Sequence, residues 1–114
     1  MINGVHCVIH SRDVDADRAF FARVMGWRSV DAGNGRLFFA LPPSELGLHE
    51  GDRNDRHEIY LMCDDVQAEI ARLDGLGIQC APVVDRGWGL MTAIALPGGG
   101  SLGLYQPRHL RPYP

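Results

Sequence analysis

The side chains able to hold a metal or carry a proton are few: five histidines, three cysteines and the carboxylate of Glu58, which heads an apolar run. In an extended strand, side chains two residues apart share a face. His6, Val8 and His10 would therefore line one face of a strand, and Glu58, Tyr60 and Met62 one face of another. His10 is placed to orient a substrate or to end its strand in solvent. Tyr60 and Met62 are placed to line a cavity, and His57 points away from Glu58 into solvent. Trp88 sits between Gly87 and Gly89, where a bend lets backbone approach a ligand closely, which makes it the aromatic residue best placed for ligand contact. Cys7, Cys63 and Cys80 form no CxxC pair and are odd in number, so neither a disulfide framework nor a zinc ribbon fits. No neighbour in sequence lowers a thiol pKa, and Cys7 is expected packed under the first helix, with Cys63 off the Glu58 face. Gly98-Gly99-Gly100 lacks the spacing and the following Lys-Ser/Thr of a phosphate loop and reads as a hairpin turn.

The elements that must position these groups are bounded by size. At 114 residues the chain makes one domain, and 46% hydrophobic with 22% charged residues is the composition of an ordinary soluble one. A net charge of −3 with no Lys/Arg-rich run argues against a nucleic-acid partner. No basic leader with an apolar run, and no stretch of about 18 apolar residues, points to neither a signal peptide nor a membrane partner. Three unmatched thiols suit a reducing cytoplasm.

Three short echoes recur in order. Asp13-Val14-Asp15-Ala16 returns as Asp65-Val66-Gln67-Ala68, Ala40-Leu41-Pro42 as Ala95-Leu96-Pro97, and Leu46-Gly47-Leu48-His49 as Leu102-Gly103-Leu104-Tyr105, separated by 52, 55 and 56 residues. They mark a duplicated module, the first over about 1–50 and the second over about 56–106, joined by a polar stretch at 50–56. Strands are expected at 5–9 and 59–62, each followed by a helix with aspartates at its start, Gly26 closing the first and Gly75 or Gly77 the second. Three short apolar runs follow each helix, at 27–32, 36–41 and 45–49, then at 78–84, 90–96 and 101–105. The unit is β-α-β-β-β, twice: an α+β fold of two pseudo-symmetric modules whose curved mixed sheet surrounds a cavity. The Pro-rich tail at 107–114 is expected to fray.

This doubled unit, with Asp13 seven residues after His6 and Asp65 seven residues after Glu58, resembles the vicinal oxygen chelate superfamily of glyoxalases, extradiol dioxygenases and fosfomycin- and bleomycin-resistance proteins. Phe20-Phe21 with Val24-Met25-Gly26-Trp27, and Trp88-Gly89 with Leu96-Pro97-Gly98-Gly99-Gly100, are similar to segments of that family. The resemblance implies metal ligands on the cavity face of four strands. Carried over by position, they are His6, Glu58 and two glycines, Gly47 and Gly103, where the family's metalloenzymes carry a side-chain ligand. His49 shares the face of Gly47 by alternation, and Tyr105 stands in the matching place of the second half. His6, His49 and Glu58 would make a two-His-one-carboxylate set for a divalent ion such as Fe, Mn, Zn or Ni. Equally, His6 can hydrogen-bond Glu58 and satisfy both groups without metal.

Two functions of different class follow from the resemblance. A metal-dependent lyase, isomerase or dioxygenase would polarise substrate oxygens on the ion while Glu58 or a metal-bound water moves a proton. A metal-free protein would hold an organic molecule, such as an antibiotic, by apolar and aromatic contact with His10, Tyr60, Met62, Trp88 and Tyr105. A third reading, a ferredoxin-like domain whose sheet serves dimerisation, lacks the doubled module. Eight short strands around a cavity leave edges for a second copy to cover, so a homodimer is expected.

Overall fold

Asp13 and Asp65 each start a helix in the same way. The Asp13 carboxylate accepts from the Ala16 N–H at 3.2 Å and that of Asp65 from the Ala68 N–H at 3.1 Å, satisfying amides that have no partner inside a helix. The computed structural model describes Met1 and residues 3–112. In it α1 spans Val14–Ala19 and widens into a π-helical stretch at Phe20–Val24, while α2 spans Val66–Gly75. The widening carries Phe20 into the core and stacks Phe21 on Trp27, with ring centroids 5.4 Å apart.

Six strands are present among the described residues: β1 (Ser29–Asp31), β2 (Leu37–Phe39), β3 (Tyr60–Met62), β4 (Val84–Asp85), β5 (Gly89–Ala95) and β6 (Ser101–Pro107). β1 and β2 form an antiparallel hairpin of their own. The others form a mixed sheet in the order β3-β6-β5-β4, with β3 parallel to β6 and the remaining pairs antiparallel. Register sorts its residues into two faces. Leu102 lies opposite Ile94 and Leu104 opposite Thr92, and these are buried with Val66, Leu73 and Leu96 between sheet and helix, joined by Phe20 from the first half. The buried Thr92 hydroxyl donates to the Ala81 carbonyl at 2.6 Å, so it costs the core no unpaired group.

Two bonds tie the halves together on the helix side. The buried carboxylate of Asp17 accepts from the Gly98 N–H at 2.7 Å, and the Arg72 guanidinium donates to the Val24 carbonyl at 3.3 Å. Gly98, in the β5–β6 turn, is pressed against Asp17 and Ser11: a Cβ there would stand 2.6 Å from the Asp17 Oδ2.

The second half follows the expected element order, β3-α2-β4-β5-β6, although of the run at 78–84 only Val84 is in a strand, Cys80 being joined to Ile94 by a single bridge. The first half supplies a helix and a hairpin, but 5–9 and 45–49 are not strands. Both segments carry the expected alternation. Neither finds a backbone ladder among the described residues, and Val5, Leu46 and Leu48 stay 82%, 87% and 87% exposed. Cys7, expected under the first helix, is exposed for the same reason. The tail is also corrected. Arg108 puts one guanidinium nitrogen on both Asp85 oxygens at 2.9 and 2.8 Å, its N–H donates to the Trp88 carbonyl at 2.8 Å, and Arg111 pairs with Glu45. Of the tail expected to fray, Tyr113 and Pro114 lie outside the described residues. No described helix is long and apolar enough to cross a membrane.

Candidate functional site

The face of the four-stranded sheet turned away from α2 carries most of the candidate residues. Tyr60 is opposite Gly103, Met62 and Met91 are opposite Tyr105, and Ala93 is opposite Gly103, so alternation places all of them on this open side. One end is aromatic. The Tyr105 ring stands at 87° to both Trp88 and Tyr60, with centroid separations of 5.0 and 6.1 Å. Trp88 is held there by the β4–β5 turn, where Gly87 adopts φ +81°, a value that glycine reaches without strain. The other end is an open recess of about 470 Å³ lined by Gln79, Cys80, Ala93, Ala95 and Ser101 among others.

Tyr60 reaches Glu58, its hydroxyl donating to the carboxylate at 2.5 Å, while Arg56 pairs with the second carboxylate oxygen at 2.9 Å. That hydrogen bond, then burial, raises the Tyr60 phenol above its usual pKa. Tyr105 bonds His109 from the tail, with Oη to Nε2 at 2.9 Å. The His109 Nδ1 lies 2.8 Å from the Leu110 carbonyl, which can only accept. Nδ1 therefore donates to that carbonyl, and in the neutral ring Nε2 accepts from the Tyr105 hydroxyl. Burial, then the charge of Glu45, raises the Tyr105 pKa. With that ring neutral both phenols donate, Tyr60 to Glu58 and Tyr105 to His109.

Solved structures share this fold over almost the whole chain. A glyoxylase/bleomycin resistance protein/dioxygenase domain from a Frankia species superposes with a TM-score of 0.64 at 16% identity, covering 95% of this chain and 100% of that one. The chain has the glyoxalase/bleomycin resistance/dioxygenase fold. FosX, a genomically encoded fosfomycin resistance protein from Listeria monocytogenes, matches with a TM-score of 0.63 at 18% identity over 92% of this chain and 91% of its own. TnmS3, an antibiotic binding protein from a Streptomyces species, matches with 0.55 at 19% over 90% and 99%. No protein-family profile matches the chain, and no curated protein matches it in sequence.

Within this glyoxalase-type fold the residues expected to ligate an ion stand in separate surroundings. His6 packs edge-on against Phe38 of β2, with centroids 4.7 Å apart, and the His49 ring lies beside Gly47. Glu58 has one oxygen on Tyr60 and the other on Arg56. Gly103 offers no room for a ligand side chain, because a Cβ there would meet Cδ1 of Tyr60 and lie 2.8 Å from its Cε1. No group of three or more His, Cys, Asp or Glu able to hold an ion exists among the described residues. Among the described residues, the side chains of one chain therefore form no set that fits a divalent ion. Nor does His6 find Glu58, whose partners are those just named.

Of the residues expected to contact substrate, Tyr60, Met62, Trp88 and Tyr105 come together, whereas His10 is exposed in the N-terminal segment. The residues missed in sequence are His109, Arg108 and Arg111. Arg108 meets Asp85 and Arg111 meets Glu45 across 23 and 66 residues, distances over which no local pattern speaks. The Cys63 thiol is pushed up to about 11, chiefly by burial and then by the charge of Glu69, which keeps it protonated and unreactive near neutrality.

Proposed function

We propose that this protein binds a small organic molecule on the open face of its β3-β6-β5-β4 sheet, by aromatic and polar contact and without a metal ion. The observation that carries this reading is the meeting of Tyr60, Trp88 and Tyr105 on that face, with the Tyr60 ring filling the space over Gly103. Antibiotic binding is the property printed for TnmS3, which shares the fold, and it supports a binding protein of this kind. Glu58 then serves as the anchor of Tyr60 rather than as a base. A second copy of the chain closes the site: the exposed Val5, Val8, Leu46 and Leu48 and the uncovered sheet face are apolar surface that a homodimer would bury.

Titration with the neutral fluorophore N-phenyl-1-naphthylamine, on protein dialysed against chelator, tests the binding reading. Saturable binding is expected without added metal, weakened about tenfold or more in Trp88→Ala and in Tyr105→Ala, the size of losing a buried ring contact. Binding that needs a divalent ion, or that ignores both substitutions, would overturn it.

A further inference from the structure

β6 ends at Pro107, whose nitrogen carries no proton, so the ladder stops there and the chain leaves the sheet. The residues that follow are fastened one after another. The Arg108 N–H donates to the Trp88 carbonyl at 2.8 Å, and its guanidinium donates to both Asp85 oxygens at 2.9 and 2.8 Å. Asp85 in turn accepts from the Gly87 N–H at 2.9 Å. Arg108 thus grips the β4–β5 turn at Asp85 and again at Trp88. The His109 Nε2 lies 2.9 Å from the Tyr105 Oη, a bond with a proton to share whether the imidazole is neutral or charged. Arg111 ends the series on Glu45 of the first half, 66 residues away in the chain. Trp88 and Tyr105, which meet edge to face on the open side of the sheet, are therefore both held from one short segment.

We infer that residues 108–111 are a strap that positions the ligand-contacting rings: Arg108 sets the turn carrying Trp88, His109 sets the Tyr105 side chain, and Arg111 anchors the strap to the first half. The inference rests on the ring face being the ligand site proposed above. Preorganisation is the physical basis, since a ring already held in place costs less to order when the ligand binds. Fold stability responds differently. The Arg108 and Asp85 side chains are 46% and 58% exposed, and exposed ion pairs contribute little to the unfolding free energy. Arg108 and Arg111 are positioning residues, felt in binding, while the core of β5, β6 and α2 stands without them.

The test follows Trp88 and the neutral fluorophore side by side. Labelling with 5-fluorotryptophan gives fluorine resonances for the two tryptophans, Trp27 and Trp88, assigned through Trp88→Phe. Arg108→Ala is expected to move the Trp88 resonance, leave that of Trp27 in place, and leave the urea midpoint of unfolding unchanged. It should also weaken N-phenyl-1-naphthylamine binding by about threefold or more, the scale of ordering one side chain on binding. Arg108→Lys should restore most of the binding, because one guanidinium nitrogen makes both contacts with Asp85 and an ammonium can take its place. Sodium chloride at about 1 M should weaken binding of this uncharged probe by screening the ion pairs of the strap, and should not do so in the double variant Arg108→Ala/Arg111→Ala. Equal or tighter binding in Arg108→Ala, an unmoved Trp88 resonance, a salt response that persists in the double variant, or a fall in the urea midpoint as large as that of Leu104→Ala would overturn the inference. If Trp88→Ala and Tyr105→Ala still weaken the fluorophore while the arginine variants do not, the ring face remains the ligand site and only the strap falls. Fluorophore binding that ignores both ring substitutions removes the site itself, and the strap's role with it.

Discussion

Under α2, Ile94, Leu102 and Leu104 are almost wholly removed from water, whereas in the first half Val5, Leu46 and Leu48 carry the same apolar alternation and stay in it. The second half has what the first lacks: a strand, β6, with a neighbour on each side. Alternation gives a segment a face to bury, but the segment becomes a strand only where another backbone takes its N–H and C=O groups. The first half keeps its order through one helix, one hairpin and the bonds of Asp17 and Arg72 to the other half's frame.

The largest effect that separates the halves is in their cores. Leu104→Ala should lower the unfolding free energy by about 2–5 kcal/mol at any protein concentration, read from denaturant midpoints at constant slope. Leu48→Ser and Val8→Ser should change it by less than about 0.5 kcal/mol where the chain is dilute, and, on the homodimer proposed above, should lower the dimer fraction seen by light scattering where it is concentrated. A Leu48→Ser loss as large as that of Leu104→Ala in dilute monomer would erase the contrast.

A smaller effect concerns the two glycines at matching places of the sequence echoes. Gly103→Ala drives a methyl group into the Tyr60 ring and should cost about 1–3 kcal/mol, with weaker fluorophore binding as Tyr60 is displaced. At Gly47 a Cβ meets nothing nearer than the His49 ring at 3.8 Å, so Gly47→Ala should be close to neutral. Paired thermal scans with binding titrations check both. Similar costs at the two positions would mean that the first half is packed as tightly as the second.

The smallest effect is alkaline. The Tyr60 phenol holds its proton more firmly folded than unfolded, because its hydroxyl bonds Glu58. That contribution to stability is complete below the unfolded value near 10 and is lost as pH rises through the raised folded value. Stability should therefore fall above about pH 10, and Tyr60→Phe should flatten the fall; an unchanged slope in denaturation curves between pH 9 and about 11 would show that the bond does not persist in solution.

Much of this was legible in the sequence because it is local. Asp13 and Asp65 cap helices by reaching three residues along the chain, and Tyr60 and Met62 line one face of β3 by alternation, with Glu58 two residues ahead of Tyr60. Trp88 is marked by its flanking glycines and Tyr105 by its place in the echo, but that their rings meet was not legible, because Trp88 precedes β5 and Tyr105 lies opposite Met91 on the ladder. What stayed hidden depends on distance. Whether residues 5–9 form a strand is decided by what lies beside them, and the bond of Arg111 to Glu45 or the cover that Tyr60 gives Gly103 is written in no window of neighbouring residues. His6 and Glu58 each stand seven residues before an aspartate in the sequence, yet a shared spacing does not make their side chains partners.

The parallel pairing of β3 with β6 has a consequence for how the chain is made. β6 lies inside the sheet, between β3 and β5, yet it follows β3 in the chain by about forty residues. At about 5–20 residues per second, a ribosome would have roughly 2–8 s between delivering one edge of the sheet and delivering its centre. Through that interval α2 has emerged without the leucines it covers. A nascent chain stalled before Ser101 should accordingly be open to proteolysis around α2, and release of the next few residues should close it.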